Sequence, residues 1–311
     1  MESNKPNIAY RWLRAIGFFR GFLLVSFMPV SLGIALAYWH SGELSWPRAL
    51  MVLLGTWFYH MGANLLNDYY DHVSGTDDIN QVRTPYSGGT RVIQENLLPP
   101  RAILIVGCAA YVIGFHIFAL LTIATGFPIL VLAIIGAASG IFYSVKPIWL
   151  AYRGFGEVIL GLNFGPFLVL TAYYAQAKSF SVAALLGGMI LGLFATAIIS
   201  INEIPDWQAD HDSGKRNLLV RYGREFIVRL WAICLWAAMV LIFVGAITPI
   251  FPWRTLLALL PFIPIYLITN NSIPETTSLN GVTSRCRGTI LIEISTWALL
   301  MIALLFSPIK G

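Results

Sequence analysis

Nine stretches of about 17–25 mainly apolar residues recur along this chain, the length a helix needs to cross the hydrocarbon layer of a bilayer. They fall at 16–39, 48–70, 101–123, 128–145, 156–177, 181–203, 225–247, 254–270 and 288–308. Inside lipid every backbone N–H and C=O has to be satisfied within the chain, so runs of this kind form helices. The expected fold class is therefore all-α, a polytopic membrane bundle of about nine transmembrane helices. Composition agrees: 57% of residues are hydrophobic and only 11% charged, which excludes a soluble domain with one core. Trp39, Trp46, Trp149, Tyr152 and Trp253 stand where apolar runs meet polar ones and read as rings anchored at headgroup level. The three cysteines, Cys108, Cys234 and Cys286, have no C-x-x-C spacing, so neither a disulfide framework nor a zinc site is expected. The first run is too long for a signal-peptide core and lacks a small-residue cleavage pattern, so it is expected to remain as the first span.

The basic residues are placed between the runs and do not form a dense stripe, which argues against nucleic acid as a partner despite the net charge of +5. Their placement speaks of topology instead. With an odd number of spans, one side holds Lys5, Arg11, Arg14, Arg83, Arg91, Arg101, Lys146, Arg153, Lys215, Arg216, Arg221, Arg224, Arg285 and Arg287, while the other holds Arg48, Lys178, Arg254 and Lys310. Fourteen against four sets the N-terminus on the cytoplasmic side. Arg20 and Asn163 fall inside apolar spans, need internal partners, and are expected to face the bundle cavity.

The two longest polar connections, 71–100 and 204–224, lie on that basic side, and each begins with acids at the end of a span. They share a form: Asn67-Asp68-Tyr69-Tyr70-Asp71 and Asn202-Glu203-Ile204-Pro205-Asp206 both read Asn-acid-x-x-Asp at an offset of 135 residues. Two four-helix repeats plus a final helix are inferred, at about 10–150, about 151–272 and about 286–308, within a single membrane domain and with the site between the halves.

Residues four apart share a helix face, so Asn67 projects with Asp71, and Asn202 with Asp206 and Asp210. Oxygen-only donors without His or Cys suit Mg²⁺, which keeps several waters and is completed by phosphate oxygens. The candidate metal ligands are Asn67, Asp68, Asp71, Asn202, Asp206 and Asp210, with Asp77, Asp78, Glu203 and Asp212 close by in the chain. A single acid at a span end usually marks only where the membrane stops. Two matched clusters on one side are different, since carboxyl groups packed at a span end are costly to keep there.

The same loops carry Arg83, Ser87-Gly88-Gly89-Thr90-Arg91, and Gly214-Lys215-Arg216 with Arg221. Glycine lets backbone N–H groups approach phosphate, and Arg matches its oxygens. Asn67, Asn202, Arg83, Arg91, Lys215 and Arg216 are thus candidates to bind a diphosphate, although basic loop residues also satisfy topology alone. Phe142-Tyr143-Ser144-Val145-Lys146-Pro147 ends a span with a phenol and an ammonium in reach of the same space, and the competing reading is an interfacial Tyr beside a snorkelling Lys. His72 and His211, next to the acids, are minor candidates for handling protons.

Asn67-Asp68-x-x-Asp71 together with Asp206-x-x-x-Asp210 resembles the paired aspartate motifs of the UbiA superfamily of membrane prenyltransferases, over essentially the whole chain. Gly75 after the first motif, Gly88-Gly89, Gly156-Glu157-Val158 and Gly165-Pro166 resemble its 1,4-dihydroxy-2-naphthoate polyprenyltransferase branch, which serves menaquinone biosynthesis. Many members have a further Asp where this chain has Gly75, and Tyr143-x-x-Lys146 is similar to an element of other branches. The resemblance implies Mg²⁺ as cofactor and a polyprenyl diphosphate and a small aromatic acceptor as partners in the lipid bilayer. It also implies catalytic roles for Asp71, Asp206, Tyr143 and Lys146, with Tyr69, Tyr70 and Phe142 lining the path of an allylic cation. In that branch the attacked carbon carries a carboxylate that leaves as CO₂. A multi-pass protein of the cytoplasmic (inner) membrane with its active site toward the cytoplasm is expected. Other acceptors (4-hydroxybenzoate, a chlorophyllide-like ring, haem, glycerol phosphate) stay open, as does a transporter, which would place its acids at mid-membrane on broken helices.

Overall fold

Eight helices long and apolar enough to cross a membrane form the bundle in a computed structural model that describes residues 6–82, 84–263 and 278–310; among these residues there is no strand. A short helix α1 (Ile8–Ala15) precedes α2 (Phe22–Ser41) and α3 (Trp46–Ser74). After the single-turn α4 (Thr76–Ile79) come α5 (Pro100–Thr125), α6 (Phe127–Ser144), α7 (Gly156–Ala177) and α8 (Val182–Asn202). The short α9 (Trp207–Asp212) leads to α10 (Leu218–Ile247), and α11 (Leu279–Leu305) is last. The apolar helix Trp253–Phe262 starts the expected eighth span, whose residues 264–270 lie outside the described residues, as do Arg83 and the side chain of Arg20.

Turn chemistry sets the ends. The first span starts later than its hydropathy implies, because Gly17 and Gly21 adopt left-handed φ of 76° and 73° around a short 3₁₀ turn and separate α1 from α2. Helix α1 is capped by Asn7, whose side chain accepts the Tyr10 N–H at 2.8 Å. Outward faces carry apolar side chains such as Ile123, Val182 and Ile233, as lipid contact demands.

Inside, α3 packs along α5, α8 along α10, and α2 along the second half of α7. The α7–α8 crossing is a close one. A Cβ on Gly165 would stand 2.4 Å from the Gly188 carbonyl oxygen and 2.5 Å from Gly192 Cα, so backbone meets backbone there. At the same point α7 loosens into a π turn over Asn163–Phe167 that contains Pro166, whose missing N–H breaks the ladder. The turn aims Asn163 inward, where its Oδ1 accepts the Ser139 hydroxyl at 2.9 Å. Gly165→Val is expected to destabilise the bundle by at least about 3 kcal/mol, since backbone cannot step aside as a side chain can. Loss of monodisperse protein after detergent extraction checks this, and a wild-type melting curve would contradict it.

Candidate active site

The last turns of α3 carry Asn67, Asp68 and Asp71, and the chain then reverses at Gly75, in a left-handed C-cap at φ 83°. That reversal folds α4 back, so Asp77 and Asn80 are buried beside the acids of α3. Loop 84–91 closes over them. Gly89 is required there, because a Cβ would meet Asp77 Oδ2 at 2.8 Å, while the Thr90 hydroxyl donates to Asp68. Arg91 donates one nitrogen to the carbonyl oxygens of Asp77 (2.8 Å) and Asn80 (2.7 Å), tying the two loop layers together.

From the other half, α8 ends at Asn202, and Pro205 turns the chain through a 3₁₀ segment, Ile204–Asp206, into α9. Asn202, Asp206 and Asp210 therefore do not share one ideal helical face, yet all three still line the same cavity. Asp210 is held by Asn217 Nδ2 at 2.7 Å and pairs with the Lys215 ammonium at 3.3 Å. Asn80 Nδ2 donates to Asp206 Oδ1 at 2.9 Å, a direct bond between the halves.

These elements enclose a polar cavity of about 260 Å³. Six carboxyl groups (Asp68, Asp71, Asp77, Glu203, Asp206 and Asp210) face it, and Lys215 is the one base among its described lining residues. Carboxylates gathered in one cavity repel one another, which favours entry of a cation. Burial, then the charges of Asp71 and Asp68, push the Asp77 carboxyl up to about 8. Burial opposes the charge on Lys215, but the carboxylates of Asp210 and Asp71 outweigh it and hold its ammonium well above the usual lysine range. Glu203 is buried beside the carboxyl group of Glu157, and among the described residues no N–H or O–H donor meets its Oε2. Among the described residues no three His, Cys, Asp or Glu side chains already surround one point as ligands. The oxygen-only donors and the excess of acid nonetheless fit Mg²⁺, which takes few protein ligands and completes its shell with water and phosphate.

Asn67, Asp68, Asp71, Tyr143, Asn202, Asp206, Asp210 and Lys215 are thus brought together. Lys146 is not: it is exposed, with its ammonium 4.4 Å from the centre of the Trp149 ring. Arg91 braces the loop as described, and Arg216 is exposed, its backbone N–H donating to the Tyr152 carbonyl at 3.1 Å. His72 pairs with Asp78 and His211 with Asp212, each at 3.1 Å and outside the cavity lining.

Tyr152, expected from sequence to anchor at the headgroups, is buried. Its hydroxyl reaches Asp71 Oδ1 (3.2 Å), Ser74 (2.6 Å) and Thr76 (2.7 Å), while its ring stacks on Trp149 at 3.7 Å. Nothing in its local sequence signals this, since the contact joins residues 81 positions apart in the chain. Tyr152→Phe keeps the stack and removes the one hydrogen bond by which this residue orients Asp71. Turnover is expected to fall about 10–100-fold with a raised Mg²⁺ requirement; an unchanged Mg²⁺ dependence would show that the hydroxyl does not position Asp71.

Below the polar cavity lies an apolar chamber of about 370 Å³, and Asn64, Asn67, Tyr143, Ile199 and Asn202 line both. Charged mouth and greasy interior meet at that ring of residues. The arrangement can hold a charged phosphate head above and an apolar tail below, with water excluded between them.

Comparison with known proteins agrees. The profile described as "UbiA prenyltransferase family" matches residues 26–276. The 1,4-dihydroxy-2-naphthoate octaprenyltransferase of Escherichia coli (strain K12) is 30% identical over 215 residues, 68% of this chain and 69% of that protein. The enzyme of the same name from Bacillus subtilis (strain 168) is 27% identical over 231 residues, 73% of this chain and 72% of that one. Among solved structures, a UbiA homolog from Archaeoglobus fulgidus bound to DMAPP and Mg²⁺ superposes with a TM-score of 0.63 at 15% identity, covering 93% of this chain and 99% of that one, which shows the shared fold.

Proposed function

The chain belongs to the UbiA prenyltransferase family, a multi-pass membrane transferase of prenyl groups, and on that premise we propose that it moves a polyprenyl group from polyprenyl diphosphate to 1,4-dihydroxy-2-naphthoate in menaquinone biosynthesis. One observation carries the reading: acids from both halves line one polar cavity that opens directly into an apolar chamber. The relatives named above support the choice of acceptor. Family membership displaces the transporter alternative, and the acids gather at one end of the bundle.

Asn67, Asp68 and Asp71 on one flank and Asn202, Asp206 and Asp210 on the other would hold Mg²⁺, which when bound neutralises charge on the departing diphosphate. Lys215 adds a fixed positive charge beside the same oxygens. The bond between prenyl C1 and the diphosphate oxygen breaks, its electron pair leaving with the diphosphate. Tyr143, at the junction of the two cavities, presents a ring to the allylic cation, and the chamber walls keep water from it. A ring carbon of the acceptor then supplies the electron pair of the new C–C bond. Loss of CO₂ from that carbon returns a pair to the ring and restores aromaticity.

The cavity opens at the bundle end rich in Lys and Arg, so we place it and the N-terminus toward the cytoplasm, in the inner membrane. The matched acid clusters are consistent with two repeats at about 10–150 and about 151–272 and a last helix, about 286–308, though part of the second repeat lies outside the described residues. Purified protein incubated with one polyprenyl diphosphate, Mg²⁺ and a panel of acceptors, with products identified by mass, tests the reading. A prenylated, decarboxylated naphthoate is expected, and preference for 4-hydroxybenzoate would overturn the acceptor.

A further inference from the structure

Glu293 stands midway along α11, is 5% exposed, and lines the apolar chamber. Among the described residues no hydrogen-bond donor or cation meets its carboxyl group. An ionisable side chain in the middle of a membrane helix is costly and marks a functional site unless the fold gives it a partner. Here the described residues give it none, and it faces a cavity.

Two independent helix registers fix its depth. The Cys286 thiol donates to Asn202 Oδ1 at 2.7 Å, which ties α11 to the floor of the polar cavity. Glu293 follows seven residues later, two turns and ~10 Å deeper on the same face. On α3, Asn67 lines both cavities and His60 comes seven residues before it, again two turns and ~10 Å down on the same face. His60 and Glu293 therefore stand at one level of the chamber. The His60 ring is fixed, with Nδ1 against the Ser26 hydroxyl and its centroid 4.6 Å from that of Phe164.

We propose that Glu293 and His60 form the seat of the acceptor, a subsite for a hydroxylated aromatic ring whose phenolic O–H donates to the Glu293 carboxyl. The level suits a ring whose reacting carbon lies near Asn67 and Asn202, beneath the diphosphate, and whose hydroxyl meta to that carbon turns down toward Glu293, since a helical side chain leans toward the N-terminal, here the upper, end of α11. A carboxyl oxygen accepts this bond in either protonation state. A prenyl chain offers Glu293 no donor, so the group has no purpose along a path for the tail alone. The His60–Phe164 pair supplies a flat wall for the ring. This seat rests on the aromatic-acceptor reading above and adds where the ring is held.

Steady-state kinetics and equilibrium binding with 1,4-dihydroxy-2-naphthoate and its mono-O-methyl ethers test the seat. Glu293→Leu is expected to raise the acceptor KM at least about tenfold while the KM for polyprenyl diphosphate stays within about twofold. Glu293→Gln keeps an oxygen acceptor in place and should recover most of the loss. In the wild-type protein one of the two ethers should bind correspondingly more weakly, and that difference should vanish in Glu293→Leu. An unchanged acceptor KM in Glu293→Leu, or a rise in the polyprenyl diphosphate KM instead, overturns the seat. Should the Leu variant fail to fold, the ethers on wild-type protein decide: equal binding of both ethers and the parent diol overturns it. Failure of the parent reading is distinct, as wild-type protein would then prenylate no aromatic acceptor at all.

Discussion

Asp71→Ala and Asp206→Ala are each expected to lower turnover by about a thousandfold or more, while the protein still extracts and melts like the wild type. Asp71 lies on α3 and Asp206 on the turn after α8, yet both line one 260 Å³ cavity. In the proposed reaction, removing either would leave an incomplete set of oxygens for Mg²⁺ and so forfeit charge stabilisation on the leaving diphosphate, the dominant contribution in reactions of this kind. Stability should change little, because the hydrogen bonds lost from Tyr152 and Asn67 to Asp71, or from Asn80 to Asp206, are offset by weaker repulsion among the remaining carboxyl groups. Near-normal turnover in either variant, assayed with saturating Mg²⁺, would remove that residue from the machinery.

Lys215→Met is expected to be the next most damaging change, lowering turnover about 100-fold. The ammonium is 3.3 Å from Asp210, lies over the Tyr152 ring at 5.8 Å, and is the one base among the described residues of the cavity wall. Met matches its length and apolar stem but leaves Asp210 without its counter-charge, so a modest loss of stability accompanies the loss of rate. Lys215→Arg should recover part of the rate, since charge survives while geometry changes. If Met turns over like the wild type, the lysine serves only to balance the charge of Asp210.

Much of this was legible in the sequence because membrane helices write themselves as long apolar runs. Paired Asn-acid-x-x-Asp segments likewise announce a shared site by repetition. What escaped depends on backbone detail or on contacts far apart in the chain. Gly17 and Gly21 delay the first span through their left-handed turns, a feature hydropathy does not register. Pro205 breaks the ideal face of Asn202, Asp206 and Asp210, and the following turn restores their convergence. Long basic side chains in loops are ambiguous, since topology and phosphate binding ask for the same residues. Lys215 lines the cavity, whereas Lys146 lies on Trp149 and Arg91 braces carbonyls. Tyr152 resembled a girdle aromatic because its reach to Asp71 spans 81 positions of the chain. Glu293 drew no notice inside its apolar run, since only the packed bundle shows that it faces a cavity.

Whether acids from both halves share one metal and diphosphate site is decided by Mg²⁺-dependent binding of a non-cleavable polyprenyl thiodiphosphate to the wild-type, Asp71→Ala and Asp206→Ala proteins. Binding that requires Mg²⁺ in the wild type and falls at least about tenfold in both variants is the result expected of a shared site. Undiminished Mg²⁺-dependent binding in either variant would contradict it.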